Sequence, residues 1–413
     1  MPVCNLSDNN MNYEKINKLE KRLHKEFEAL EEIATKNQQK VLDAFLSHKV
    51  RSTHFAPSSG YAYGDSGRET LAKIYAQVLG FDKAIVSQAL LSGTHTIFAA
   101  LRGILRPGDK VLCITGEVYD SIKTTLTGNV GALCEFGITY DKVDMLPNGD
   151  FDRQTIQKKL KAHTYKMVYM QRACGYGARK SLLPKEMEEM AYFVKEIKRE
   201  CIVFVDNCYG EFVCESEPCK CVDILCGSLI KNMGGGMVPV GGYIACTSNC
   251  FERIESSVVA PGVGVEIGAN PYGYRDFFLG LFLAPHTVAQ AKKSALLFGQ
   301  GFADLGYRTS VSIGKHQADI VVAITLGSPE KLQKFCTLVQ SLSPIDSFVT
   351  PEPWDMPGYA HQIIMSAGTF VAGATIELSA DAPMREPYTV YLQGALTYEH
   401  AKIAYHHIVS QFE

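Results

Sequence analysis

A chain of 413 residues, 46% hydrophobic and 21% charged, is longer than one average domain and can bury more than one core, which excludes disordered and collagen-like readings. Its net charge of −3 supplies no basic surface for nucleic acid or an anionic membrane, so the expected partner is a small molecule. The thirteen cysteines are odd in number, and the densest group, Cys208 to Cys226, holds a C-x-C but no C-x-x-C; reduced thiols fit this better than a disulfide scaffold or a structural metal.

The opening stretch MPVCNLSDNNMNYEKINKLEKRLHKEF has no apolar core of signal-peptide length, and no run elsewhere approaches the ~18 apolar residues of a membrane span, which predicts a cytoplasmic protein. From Asn12 to Phe45, apolar residues such as Ile16, Leu19, Leu23, Phe27 and Leu30 recur at three- and four-residue steps and predict one long or two shorter amphipathic helices. A loop, PSSGYAYGDSGR, precedes the helical segment ETLAKIYAQVLG. To about Phe251, AIVSQ, KVLCIT, KMVYMQ, CIVFVDN and GYIACT read as buried strands, and TIFAALRGIL and PKEMEEMAYFVKEIKRE as crossover helices. That alternation predicts an α/β fold with a mostly parallel sheet and ligands at the carboxyl ends of its strands. After the Gly- and Pro-rich VVAPGVGVEIGANPYGY and the helical FFLGLFLAPHTVAQAKKSALLF comes a smaller α+β unit. Its strands are ADIVVAITLG and TFVAGATIELS, and its helices PEKLQKFCTLVQSL and TYEHAKIAYHHIV. The expected division is an N-terminal segment (1–60), a large domain (61–290) and a small domain (291–413).

CIVFVDN delivers Asp206 to a strand end, where an unpaired buried carboxylate costs several kcal/mol; a cation or hydrogen-bond donor is expected beside it. A helix cap or salt bridge is the plainer account. Lys231 follows 25 residues later, after DILCGSLI, and the glycines of KNMGGG allow a sharp turn and a close approach to a ligand. They follow the lysine instead of preceding it, so no nucleotide P-loop is present. In LLSGTHTIFAAL, Ser92, Gly93 and Thr94 open a helix directly after a strand, which suits a phosphate or simply caps the helix. Tyr119 lies just beyond KVLCIT on the same edge, where its ring can stack on a flat cofactor or merely pack. A lysine for an imine, an aspartate for a pyridine nitrogen, a phosphate cradle and a stacking ring are together what pyridoxal phosphate requires.

The chain resembles the fold-type I pyridoxal-phosphate enzymes, and specifically the methionine γ-lyase-like, or cystathionine β-lyase-like, family linked with aluminium resistance. The matching segments are THFAPSSGYAYGDSGRETL, LLSGTHTIFAAL, VDNCYGEFVCESEP, GSLIKNMGGGMVPVGGYIA, SFVTPEPWDMPGY and PYTVYLQGALTYEH. The resemblance implies pyridoxal 5′-phosphate as cofactor, Lys231 as its covalent anchor and Asp206 as the partner of its ring nitrogen. It places Ser92, Gly93, Thr94 and Ser228 around the phosphate and Tyr119 on the ring. It implies that Tyr63 and Arg68 complete the phosphate site of a neighbouring subunit, in a homodimer or homotetramer. Arg385 in APMREPYTVY and Arg172 in YMQRACGYG are the candidates for clamping a substrate carboxylate, each with a salt bridge as its ordinary alternative. The chain departs from the family at Ala173 and Cys174, where SRGY follows MQR, at Met233, where proline is usual, and within SSVVA, which lacks an expected arginine. The implied activity is a carbon–sulfur lyase working by β- or γ-elimination on cystathionine, cysteine or methionine. β- or γ-Replacement, loss of a non-sulfur group, and a non-enzymatic ligand- or metal-binding protein are the alternatives.

Overall fold

The computed structural model describes residues 13–177, 179–315 and 317–413. In chain order its elements are α1 (Tyr13–Ser47), α2 (Ser66–Leu79), β1 (Lys83–Ser87), α3 (Gly93–Ile104), β2 (Lys110–Cys113), α4 (Asp120–Thr127), β3 (Thr139–Lys142), α5 (Arg153–Ala162), β4 (Met167–Gln171), α6 (Pro184–Ile197), β5 (Ile202–Asp206), β6 (Ile224–Ser228), β7 (Gly242–Cys246), α7 (Ser248–Val258), α8 (Arg275–Asp304), β8 (Arg308–Thr309), β9 (Val321–Thr325), α9 (Pro329–Ser341), β10 (Ile363–Ser366), β11 (Ser379–Pro383), β12 (Thr389–Gln393) and α10 (Tyr398–Val409).

Strands β1 to β7 form one sheet in the order β1-β7-β6-β5-β4-β2-β3. β2 to β6 run parallel, and β7 lies antiparallel between β6 and β1. Side chains alternate between two cores. Val168, Met170, Val203 and Val205 face one, with α2, α5, α6 and the first half of α8; Met167, Tyr169, Phe204 and Ile224 face the other, with α3, α4 and α7. Burial on both faces is why these strands read as unbroken apolar runs instead of alternating ones. The smaller unit is an antiparallel sheet, β10-β11-β12-β9-β8, packed with α9, α10 and the second half of α8.

Two long helices join the units. α1 is one continuous helix: Ile16, Leu19 and Leu23 enter the core of the small unit, while Val41 and Ala44 enter that of the large one. Residues 1–12 of the expected N-terminal segment lie outside the described residues. α8 likewise carries Phe278 and Leu281 into one core and Phe298 and Phe302 into the other, so the expected division at 290 and 291 falls inside a helix.

One expected strand does not form. TFVAGATIELS is irregular until Ser379, because its polar groups are committed elsewhere. The Glu377 carboxylate accepts from the Phe370 and Val371 N–H groups (2.9 and 2.8 Å), and Ile376 N–H donates to the Ile230 carbonyl (3.3 Å) next to Lys231. Among the described residues, no helix is long and apolar enough to cross a membrane.

The glycines after Lys231 are tightly enclosed: a Cβ on Gly235 would meet the Gly280 carbonyl of α8, and one on Gly236 the Leu396 side chain. Gly235 and Gly236 adopt φ of 56° and 81°, a conformation that glycine takes at little cost, and a Cβ on Gly280 of α8 would overlap the Gly234 carbonyl. Gly280→Ala is therefore expected to destabilise the fold: overpacking against this carbonyl costs ~1–3 kcal/mol, against at most ~1 kcal/mol gained in helix propensity. A lowered urea midpoint checks this; an unchanged or raised one would show that the loop yields.

Candidate functional site

The parallel strands end at one edge of the sheet, and the polar residues that follow them converge there. Asp206, the last residue of β5, is only 5% exposed; its carboxylate accepts from Cys208 N–H (3.1 Å) and from the Tyr169 hydroxyl (3.3 Å). Ser228 ends β6 and is buried, and its Oγ has no hydrogen-bond partner. Three residues later Lys231 lays its Nζ 3.9 Å from the centroid of the Tyr209 ring, a cation–π contact. Tyr209 itself holds φ at 67°, an uncommon conformation for a residue with a bulky side chain.

Helix α3 brings the phosphate-type features. Ser92 caps it, accepting from His95 N–H (3.1 Å), and Thr94 Oγ1 lies 2.6 Å from Ser121 Oγ. The N–H groups of Gly93 and Thr94 stand at the open end of the helix, where no intrahelical partner exists for them. A Cβ on Gly93 would sit 3.5 Å from both Cys208 Sγ and Ser228 Cβ, so the cap of α3 and the ends of β5 and β6 enclose one small space. Tyr119 begins α4, its N–H held by Gln171 Oε1 (2.9 Å) at the end of β4.

Charge is set by burial. It raises Asp206 above the ordinary carboxylate range, against the lowering effects of Cys208 N–H and of Lys231. Burial opposes the charge on Lys231, but Tyr209, Cys208 and Asp206 more than offset it and keep the amine protonated. A buried carboxylate and an ammonium at one sheet edge thus stabilise each other.

Several residues of this edge carry no local signal in the sequence. Tyr119 meets Tyr359 hydroxyl to hydroxyl (2.6 Å) and packs its ring 5.5 Å from that of Tyr176. Tyr176 donates to Asp381 on β11 (3.0 Å), and Tyr391 on β12 donates to the Tyr176 carbonyl (2.8 Å). Arg385 joins this group through its own bond to the Tyr176 carbonyl (3.1 Å). Tyr359 lies in the quoted segment SFVTPEPWDMPGY, and Asp381 stands four residues before Arg385; proximity to those motifs is the one signal that could have found them.

Arg172 does not stand with them. Its guanidinium is fully buried: Nη1 donates to Glu217 (2.7 Å) and Asn207 (2.8 Å) and braces the ends of β4 and β5, while Nε and Nη2 have no hydrogen-bond partner. Arg68 donates to the carbonyls of Ala62, Glu266 and Gly268, and Tyr63 is 70% exposed, stacked on Tyr61. Among the described residues, no hydrogen bond or ring contact of Tyr63 or Arg68 reaches Lys231 or Asp206.

The donor set fits pyridoxal phosphate. A buried hydroxyl with no partner and the open end of α3 suit a phosphate, a buried carboxylate suits a protonated pyridine nitrogen, and an amine lies beside both. Among the described residues no cluster of His, Cys, Asp or Glu is arranged to hold a metal ion, and the cysteines are free thiols.

Residues 12–413 match the family described as Methionine gamma-lyase. The chain is 44% identical to the uncharacterized protein YnbB of Bacillus subtilis over 387 residues, covering 92% of this chain and 91% of that one. A crystal structure from Listeria monocytogenes, named as a candidate cystathionine beta-lyase involved in aluminium resistance, is 42% identical with a TM-score of 0.92, covering 96% of this chain and 99% of that chain. A carbon-sulfur lyase involved in aluminium resistance from Clostridium novyi is 41% identical with a TM-score of 0.92, covering 96% and 94%. The pyridoxal-5′-phosphate-dependent protein YhfS of Escherichia coli, at 15% identity, a TM-score of 0.62 and coverage of 93% and 96%, shares the fold.

Two substitutions separate the frame of the site from its contents. Ser228→Ala is expected to weaken cofactor affinity about tenfold, the worth of ~1.4 kcal/mol in one hydrogen bond to a charged group, with the melting temperature of the cofactor-free chain unchanged. Fluorescence titration with pyridoxal phosphate reads the first and calorimetry the second. Arg172→Ala, which strands Glu217, is expected to lower the unfolding free energy by ~3–5 kcal/mol in urea titration, where a substrate clamp would raise KM and leave the fold intact.

Proposed function

This chain belongs to the methionine gamma-lyase family, and on that footing we propose that it is a pyridoxal 5′-phosphate-dependent carbon–sulfur lyase acting on a sulfur-containing amino acid. The observation that carries the proposal is the convergence of Lys231, Asp206 and the unpartnered Ser228 hydroxyl at one sheet edge. Lys231 would anchor the cofactor, Asp206 would hold the proton on its ring nitrogen, and Ser228, Gly93 and Thr94 would grip its phosphate with Ser92 capping the helix beneath. Tyr119 would cover the ring. Once bound, the cofactor supplies a sink for the electron pair left on the substrate α-carbon.

The remaining work falls to side chains. Arg385, on the hairpin between β11 and β12, would take the substrate carboxylate and orient the α-hydrogen. The Lys231 amine, freed when the substrate amine replaces it, would remove that α-proton at Nζ. For a β leaving group one proton removal suffices; for a γ group Nζ must also take a proton from Cβ. Tyr119, whose hydroxyl meets that of Tyr359, would donate a proton to the departing thiolate. The exposed Tyr63 and the adjacent Arg68 would serve the neighbouring subunit's phosphate site, so that a homodimer or homotetramer in the cytoplasm is the working form.

The test is product identity. Incubated with cystathionine, cysteine and methionine, the holoenzyme is expected to give a 2-oxo acid: pyruvate for β-elimination or 2-oxobutyrate for γ-elimination. Failure with every sulfur amino acid would refute the proposal. Lys231→Ala should lower turnover by about 10²–10⁴ and abolish the imine absorbance. Arg385→Ala should lower kcat/KM by about 10–100-fold, mainly through KM, the loss of one charged hydrogen-bond pair.

A further inference from the structure

Between α9 and β10 the small unit carries an irregular segment, residues 342–362, whose last part has no role in the chemistry above. Trp354 and Ile363 pair through two backbone hydrogen bonds, Trp354 N–H to the Ile363 carbonyl (3.2 Å) and Ile363 N–H to the Trp354 carbonyl (3.1 Å). They close a neck on the eight residues DMPGYAHQ, Asp355 to Gln362, which makes a compact loop of the omega kind. Its tip is a tight turn. Pro357 presets the first corner, Gly358 takes the positive φ (89°) of the second, and Tyr359 N–H donates to the Met356 carbonyl (3.2 Å).

The base of the loop is tied to its own unit, where Met384 N–H donates to the Gln362 carbonyl (2.9 Å); the tip goes the other way, onto the large unit. A Cβ on Gly358 would lie 3.7 Å from Ser121 Cα and Cβ on the first turn of α4, and Ser121 is the partner of Thr94 in the phosphate cradle. The Tyr359 ring meets that of Tyr119 edge-on, with centroids 5.8 Å apart. It lies 6.0 Å from that of Tyr176, the residue whose carbonyl holds Arg385. The Tyr359 hydroxyl stands 2.6 Å from that of Tyr119. Among the described residues this is the one hydrogen bond from the loop to the large unit. Met356 and Tyr359 are half-buried, and the rest of the loop is exposed.

A loop with so few buried contacts opens at little cost, and one bond between neutral hydroxyls shifts that opening about fivefold. Resting on the cofactor-dependent reading above, we infer that residues 355–362 are a latch over the substrate side of the site, and that Tyr359 is the positioning residue that closes it. Shut, the latch does two things at once. It fixes the Tyr119 hydroxyl, and since Gln171 already holds the Tyr119 main chain, the ring is pinned at both ends where it would cover the cofactor. It also covers the corner where Tyr119, Tyr176 and Arg385 meet. An amino acid must lift the tip to reach Arg385, and is shielded from water once the tip returns.

The chemistry of the tip suits this use. A phenylalanine at 359 would make the same ring contacts, so the hydroxyl serves the bond to Tyr119, and water can replace each partner when that bond breaks. Pro357 and the turn leave the tip few conformations of its own, so it swings as a body about the neck and loses little entropy on closing. The Trp354–Ile363 pair is the fixed end of that swing. Because the loop belongs to the small unit and Tyr119 to the large one, closing the latch also joins the two units across the mouth of the site.

Alanine, which has no leaving group, is the probe. In holoenzyme titrated with alanine and followed by cofactor absorbance, Tyr359→Phe is expected to raise the Kd about fivefold with the melting temperature unchanged. Hydrogen exchange read by mass spectrometry is expected to quicken about fivefold in the peptide spanning 355–362, and not in α4 or β10. A lock tests the same latch from the other side. The 3.7 Å between a Gly358 Cβ and Ser121 Cβ is the span of a disulfide. Gly358→Cys with Ser121→Cys, loaded with cofactor and then oxidised, is expected to bind alanine about tenfold more slowly than wild type treated alike, and reduction is expected to restore the rate. Should the disulfide fail to form, Tyr359→Phe alone decides. Unaltered exchange in Tyr359→Phe, faster exchange spread through the small unit, or one alanine-binding rate in the oxidised and reduced double variant overturns the proposal. No readout here needs C–S cleavage, so a chain that yields no 2-oxo acid but shows this pattern loses the lyase reading and keeps the latch.

Discussion

The placing of the buried Asp206 carboxylate and the Lys231 ammonium at one carboxyl edge of the large sheet, where each favours the charged form of the other, is the constraint around which the rest is arranged. Each charge also has local support, Asp206 from Cys208 N–H and Lys231 from the Tyr209 ring. Asp206 has almost no exposure and two weak-to-moderate hydrogen bonds, from Cys208 N–H and Tyr169. Burial raises it, and the Cys208 N–H bond, followed by Lys231, pulls it back towards the ionised form. A fold that places such a pair must fix both ends of both strands, because a shift of one residue in a strand would turn Asp206 into a core.

A polar frame behind the pair does this. Arg172 after β4 bonds Asn207 after β5 and Glu217 beyond it; Glu217 also accepts from Asn207 (2.9 Å) and from Phe212 N–H (2.8 Å). Tyr243 of β7 donates to Glu211 (2.7 Å), and Asn232, the neighbour of Lys231, donates to the Glu211 carbonyl (2.9 Å). Burial pushes Glu211 up to about 8, so its carboxyl holds a proton near neutrality and adds little charge to the frame. The frame thus reaches from three strands to the lysine loop. On its other side that loop rests against α8 through glycines with no side chain to intrude.

The small unit adds what the sheet edge lacks. α1 and α8 run through both cores, so the antiparallel sheet is held against the large one and not merely tethered to it. From that position β11 and β12 present Asp381, Tyr391 and Arg385 to Tyr176 of the large unit. One segment that would lengthen this sheet is diverted: Ile376 bonds the Ile230 carbonyl and ties the small unit to the lysine loop directly.

Much of this was legible in the chain. Strands buried on both faces announce themselves as apolar runs, and a polar residue that ends such a run must emerge at a sheet edge; that local logic located Asp206, Lys231 and, with a helix start behind it, Gly93, while Ser228 came from the family resemblance. The same logic could not choose between Arg172 and Arg385, because each follows an apolar run or a turn and only burial shows that one is locked to Glu217. It misjudged TFVAGATIELS, whose β-branched composition suits a strand but whose amides bond Glu377 and Ile230. It was silent on Tyr209, Tyr176, Tyr359 and Asp381. The Tyr119–Tyr359 bond joins residues 240 positions apart, and no periodicity or spacing encodes a contact of that range. The sequence by itself determined the sheet, its edge and the polar residues that end its strands, since these follow from local hydrophobic patterning. The tertiary structure alone decided which arginine is buried against Glu217, which glycines pack and which tyrosines gather around Tyr119, since those depend on how two cores meet.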